Sequence, residues 1–344
     1  LKYEPVKKSR VNIEEVQKII NFDVNKGDTL YNTKYKFLFQ IYAQGMRVSD
    51  MLLIRWNNIE GNRLNYVMYK TKQIMTIQLS SNLLSIIAKF SSSYDENRVF
   101  HYEGKLDSRF FDFNEIAHPV FGYGEIIGYE YTLKDIDTSI KKNQKYYHSL
   151  MTSNVKPDNF NQLKSTLEGN IKFLNELATD IYKLFIQESL NVERNQFIFP
   201  GLSNELFVNI NEKNLFEALN QKQYNQLMSQ TAVYNKYLKK LQKECKIETS
   251  IRSHISRHTF AELMLDNGVD LYVISKALGH TSFKTTQTYL KELNDKIADK
   301  AIETLESILP MNSINDYKIS ETDIEITDPF YVNPNKYEGP QLNP

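Results

Sequence analysis

The chain has 344 residues, 41% hydrophobic and 24% charged, which suits a soluble globular protein of one large domain or two medium ones. It holds no apolar run of 18 residues for a membrane helix, its polar start LKYEPVKKSR is not a signal peptide, and its single cysteine, Cys245, excludes an intrachain disulfide and a cysteine-based metal cluster. Lys and Arg number 42 against 42 acidic residues, so the net charge gives no nucleic-acid signal, although residues 311–344 carry six acidic and two basic groups and leave 40 basic and 36 acidic in 1–310. One unpaired cysteine fits a reducing cytoplasm. An opening at Leu1 rather than Met reads as a fragment whose N-terminal part lies elsewhere.

Residues 1–10 read as a linker, where Lys7-Lys8-Ser9-Arg10 suits a DNA contact or a solvated tail equally. VNIEEVQKII (11–20) pairs Asn12 with Glu15 as a capping box and then carries an apolar stripe, so a helix begins there. KYKFLFQIYAQG (34–45) reads as a buried helix stopped by Gly45. SDMLLIRW (49–56) restarts helix with Ser49 as N-cap and leaves Arg47 in the corner between the two. Alternation over 57–80, broken at Glu60-Gly61 and Lys72-Gln73, predicts a small antiparallel sheet with Lys70 at its last hairpin tip. SSNLLSIIAKFSSS (80–93) returns to helix.

Residues 101–191 predict an insertion, mainly helical, with a hairpin over 118–133. Leu167, Ile171, Leu174, Ala178, Ile181 and Phe185 repeat at steps of four and three, a heptad-like seam. Such a seam packs on its own domain or on a partner. FIFPGL (197–202) is a short buried segment. Helices follow over 233–247, over 252–268 with Ser253 as cap, and over 270–279. A last amphipathic helix occupies 294–309, and the Pro/Asn-rich acidic tail 311–344 reads as extended.

Five features carry chemistry: Arg47, Lys70, His254 with Arg257, His280, and Tyr289 in LGHTSFKTTQTYLK (278–291). Guanidinium forks hold non-bridging phosphate oxygens and stay charged at any pH. They also stabilise charge in a five-coordinate phosphorus state. A tyrosine hydroxyl can attack phosphorus, and a lysine can protonate a leaving sugar oxygen. The sequence shows no carboxylate cluster for a metal, which leaves the arginines to do its work.

HISRHTFAELMLDNGVDLYVISKALGHTSFKTTQTYLK (254–291) closely resembles the C-terminal signature of the tyrosine recombinase, or phage integrase, family: His-x-x-Arg-His, Leu-Gly-His, and a tyrosine nine residues on. AQGMRVSDMLLIRWNNIEG (43–61) resembles the family's first arginine box, with Arg47 as the arginine and Asp50 in place of a buttressing glutamate. YKTKQIMTIQLS (69–80) resembles its lysine hairpin, with Lys70 as the match and Lys72 as the fallback. The interval from Lys70 to His254 is longer than the family pattern, in keeping with an insertion.

The resemblance implies an α+β, mainly α-helical catalytic-domain fold with a small antiparallel sheet and a helical insertion. Its parts would be 11–100, the insertion 101–191, 192–310 and the tail, without the family's separate core-binding domain. It implies attack by Tyr289 on double-stranded DNA, giving a 3′-phosphotyrosine, with no cofactor or metal. Arg47, Arg257, His254 and His280 would hold the phosphate, Lys70 would act as general acid, and Asp50 and His258 would support them from behind. A homotetramer on DNA exchanging helix 294–309, a mobile-element integrase and a nucleoid location are the further expectations. The alternatives are a chromosome-dimer resolving recombinase and a cleavage-dead DNA-binding accessory protein.

Overall fold

The structure is a computed structural model that describes residues 11–103, 118–122, 125–153, 155–210 and 219–280. The linker 1–10, Tyr289, the helix expected at 294–309 and the acidic tail lie outside the described residues. The fold is mainly helical with two small antiparallel sheets. It forms two compact units, one up to Ser92 and again from Ile186, the other Ser93–Phe185.

In the first unit, α1 (Ile13–Asn21) begins with the expected capping box: Glu15 N–H donates to Asn12 Oδ1 at 2.8 Å, and Asn12 N–H to Glu15 Oε2 at 3.1 Å. The Glu15 carboxylate also accepts from Thr249 N–H and Oγ1, which ties α1 to a segment 234 residues away. Helix α2 (Thr29–Tyr42) starts five residues before the expected 34, because Asp28 caps it by accepting from Leu30 N–H. Its Phe37 and Phe39 are fully buried, and the Phe39 ring lies 4.7 Å from that of Phe199 in the FIFPGL segment.

Helix α3 (Val48–Leu53) starts before the expected Ser49. Arg47 occupies the N-cap and its side chain makes no capping bond; Ser49 falls inside the first turn. Strands β1 (Ile59–Glu60), β2 (Arg63–Val67) and β3 (Ile74–Gln78) form the expected antiparallel sheet, with Leu64 opposite Ile77. Both are buried on the core face. Helix α4 (Ser81–Ala88) follows, capped by Ser80.

The second unit is not wholly helical. Strands β4 (Val99–Glu103), β5 (His118–Gly122) and β6 (Glu125–Thr132) form a sheet with β6 in the middle. Helix α5 (Leu133–Thr152) starts at a Thr132–Asp135 capping box. Helix α6 (Phe160–Val192) carries the heptad seam, with Leu167, Leu174, Ala178, Ile181 and Phe185 buried. Phe185 meets the Tyr94 ring at 5.3 Å and Phe100 at 6.2 Å, so this end of the seam packs within its own unit.

Beyond α6 the chain returns to the first unit. Ile198 N–H donates to Ile54 O, and Trp56 N–H to Gln196 O. Arg55 locks this junction: its guanidinium donates to Asn195 O and Phe207 O and lies 4.0 Å from the Phe197 ring. Helix α7 (Gln221–Glu244) begins twelve residues before the expected 233, at an Asn220–Gln223 capping box. Helices α8 (Ile255–Asp266) and α9 (Leu271–Ala277) complete the described residues. His254, not Ser253, is the N-cap of α8. The Ser253 N–H is taken instead by Asn235 Oδ1 of α7, at 2.9 Å.

Two left-handed glycines fix the corners. At Gly45 (φ +67°) an added Cβ would lie 3.0 Å from Arg257 Cα and 3.2 Å from both Arg257 Cγ and Leu278 Cδ2. At Gly279 (φ +61°) it would collide with Met68 Sδ, the end of a flexible side chain. Each alanine substitution therefore costs about 1–2 kcal/mol of left-handed strain plus an overpacking cost of about 1–3 kcal/mol. Denaturant unfolding should show Gly45→Ala losing about 3 kcal/mol, and Gly279→Ala less, because the Met68 side chain can turn away and the Arg257 backbone cannot.

Candidate active site

The α2–α3 corner presents Arg47. Helix α2 ends at Tyr42, and Gln44 and Gly45 then turn through positive φ. Gln40, fully buried, spans the turn: its Nε2 donates to Met46 O at 2.8 Å and its Oε1 accepts from Tyr234 Oη at 2.8 Å. Met46 N–H also donates to Gln40 O. The residue before Arg47 is thus held from two sides, and α3 starts there.

Behind Arg47 lies Asp50, a carboxylate only 2% exposed. Its Oδ1 accepts from Tyr69 N–H at 2.8 Å, its Oδ2 has no hydrogen-bond partner, and Arg47 Nη1 stands 4.0 Å from Oδ2. Burial pushes the Asp50 carboxyl up to about 6; the Tyr69 N–H, Arg47, Arg257 and Lys72 pull the other way. Arg47 Nη1 also points at Met68 Sδ, 3.7 Å away.

Helix α8 contributes Arg257, a buried guanidinium. Its Nη1 donates to Gly45 O at 3.0 Å and its Nη2 to Leu278 O. One side chain therefore joins the α2–α3 corner to the end of α9. There His280 N–H donates to Ser275 O and Gly279 N–H to Lys276 O, so the helix closes with Gly279 left-handed. His280 follows at once. His254 opens α8 and is exposed; His258 lies one turn on, half-buried, its N–H donating to His254 O.

Lys70 stands exposed in the turn between β2 and β3. Lys72, with φ +57°, places its ammonium 4.8 Å from the Tyr69 ring. The two lysines divide: Lys70 is close enough to His254 to depress its pKa, whereas Lys72 acts on Asp50.

The charges converge. Burial, then Arg257, Arg47 and Lys70, lower the His254 pKa. Burial, then Arg257 and Arg47, push His280 down to about 4. Both imidazoles are held towards the neutral form, beside two guanidiniums and Lys70. Such an arrangement can take up an anion whose oxygens accept hydrogen bonds from guanidinium, ammonium and imidazole groups. The structure brings together Arg47, Asp50, Lys70, His254, Arg257 and His280; Tyr289 falls outside the described residues. Sequence reading missed Gln40, Met68 and Asn235. Gln40 had a signal, a lone amide inside the apolar run KFLFQIY; the other two had none.

Residues 138–296 match the Phage integrase family. That match covers a little under half of the chain. It includes His254, Arg257, His280 and Tyr289, while Arg47, Asp50 and Lys70 precede it and join the site through the fold. Tyrosine recombinase XerA of Saccharolobus solfataricus is 39% identical over 70 residues, 20% of this chain and 23% of the relative. XerC of Rickettsia bellii is 42% identical over 62 residues, 18% and 20% of the two chains. XerD of Listeria monocytogenes is 46% identical over 54 residues, 16% and 18%. The chain thus spans about a fifth of the length of these curated relatives.

The two perturbed acids work against each other in stability. Unfolded His280 takes its proton first, so its contribution makes stability fall as pH drops from about 6.5 towards 4. Folded Asp50 takes its proton first, so its contribution makes stability rise as pH drops from about 6 towards 3.8. Asp50→Asn should therefore steepen the acid-side loss and His280→Asn should flatten it. Denaturation midpoints at pH 7, 6 and 5 check both signs.

Proposed function

We propose that the chain is the catalytic part of a site-specific DNA recombinase that cuts and rejoins strands through a 3′-phosphotyrosine. The observation that carries this reading is the convergence of Arg47 and Arg257, from opposite ends of the chain, with two histidines and Lys70. Tyr289 is the nucleophile: its hydroxyl loses its proton to water and its oxygen forms a bond to phosphorus as the bond to the 5′ oxygen breaks. Arg47 and Arg257 hold the non-bridging oxygens and take up the developing charge. His254 and His280 hydrogen-bond the same phosphate, and Lys70 gives the leaving 5′ oxygen its proton. Asp50 steadies Arg47, and His258 supports α8 behind it. The phosphotyrosine keeps the bond energy, so a second 5′-hydroxyl reverses the step on a new partner strand.

Two such rounds in a homotetramer, with helix 294–309 exchanged between protomers, would complete strand exchange on double-stranded DNA. We read residues 101–191 as an insertion in the catalytic domain, and the protein as an integrase of a phage or conjugative element acting at the nucleoid. The likeness to tyrosine recombinases XerC and XerD favours a second reading, chromosome-dimer resolution. Neither needs a metal for charge stabilisation, since the two guanidiniums provide it.

The test is covalent capture on nicked duplexes carrying candidate sites, with EDTA present. A protein–DNA band that survives EDTA and disappears in Tyr289→Phe is expected. Arg47→Gln should slow its formation about 10²–10³-fold. A band unchanged in Tyr289→Phe would remove the assigned nucleophile; no band on any duplex would favour the cleavage-dead accessory protein.

A further inference from the structure

The second half of α7 carries a row of exposed cations that the site above does not use. Lys236, Lys239, Lys240 and Lys243 all face solvent, with Lys246 just past the helix end. They stand opposite the buried Tyr234, Leu238 and Leu241. Among the described residues none of Lys236, Lys239, Lys243 or Arg252 forms an ion pair, and the nearby Glu244 and Glu248 pair with none of them.

Two neutral hydrogen bonds fix where this row lies. Asn235 Oδ1 accepts from Ser253 N–H at 2.9 Å, and Gln242 Oε1 accepts from Ile251 N–H at 3.2 Å. Asn235, Lys239 and Gln242 are spaced four and three residues apart, so they share one face of α7. The segment Ile251–Ser253 is therefore clipped along α7 at both ends; Lys239 is on the clipped face of the helix, Arg252 falls between the two clipped residues, and both are exposed. Two exposed cations thus belong to the clipped stretch, and the clips are amides that neutralise neither. The next residue after Ser253 is His254, so the row runs directly into the phosphate-binding cluster.

We infer that Lys239 and Arg252, continued by Lys243, form a ridge that grips the DNA phosphate backbone next to the phosphate held at His254. This rests on the recombinase reading and extends its surface. The ridge reads no bases. It supplies affinity that is independent of sequence and dependent on salt, and it sets the position of the strand relative to the cleft. From Lys239 to Lys243 the helix rises about 6 Å, enough to follow about two successive phosphates of one strand.

The test uses the full chain and labelled duplexes of several unrelated sequences, with binding followed by fluorescence anisotropy across a salt series. The double variant Lys239→Gln/Arg252→Gln should bind all duplexes about ten-fold more weakly, with a log–log salt slope shallower by about two. Lys164→Gln/Lys172→Gln makes the same charge change in the other unit and should leave affinity and slope unchanged. Equal losses in both double variants would reduce the effect to net charge and overturn the ridge. So would parent-like binding by Lys239→Gln/Arg252→Gln. A parent chain that binds no duplex would instead contradict the recombinase reading itself.

Discussion

The site depends on what the Arg257 guanidinium does with two backbone carbonyls. It takes Gly45 O from the corner after α2 and Leu278 O from the end of α9. Those corners carry Arg47 and His280. A buried guanidinium is costly unless its donors are satisfied, so a chain that buries Arg257 is compelled to bring carbonyls to it. The left-handed glycines make this possible. A side chain at 45 would push Arg257 away, and one at 279 would displace the Met68 side chain. Residues more than 200 positions apart are thereby set into one cleft.

This order leaves an electrostatic imbalance in the site. Arg47, Arg257 and Lys70 act on both histidines or on one of them, and both imidazoles are driven towards neutrality. Asp50 offsets part of this from behind, with one carboxylate oxygen bonded to the Tyr69 N–H and the other lacking a hydrogen-bond partner. Such tension is the expected condition of a cleft made to receive an anion. It also explains why Asp50 is buried beside Arg47 rather than spent in a tight surface pair. At 4.0 Å the pair is loose, so Asp50 does not tie up the guanidinium's donors.

Much of the first unit was legible in the sequence. Asn12–Glu15, the helical stretch after 80 and the strand alternation over 57–80 each describe a local preference that tertiary packing then follows. Where reading failed, the determinant was non-local. Helix α7 starts at 221 because Asn220 caps it, yet QKQYNQLMSQTA shows little apolar periodicity, since only Leu227 and Gln223 face inward. Ser49 looks like a cap, but Gln40 holds Met46 and starts the helix at Val48. Ser253 looks like a cap too, but the helix begins one residue later, with His254 at the N-cap position. The strand β4 over 99–103 gave no turn-bounded alternation and pairs with residues some thirty positions on. In the site, residue types and spacing pointed to the chemistry; the joining of the corners by Arg257, and the amide of Gln40 beneath Arg47, could only come from the fold.

The most direct test of this account is amide hydrogen exchange at the two corners in the parent and in Arg257→Lys. A lysine keeps the charge but cannot reach both carbonyls as a planar fork does. If Arg257 joins the corners, the Met46 and His280 amides, bonded to Gln40 O and Ser275 O, should both exchange faster in the variant, while Glu15 in α1 stays protected. Unchanged protection at Met46 and His280, or loss at one corner alone, would contradict the claim that this side chain holds the site together.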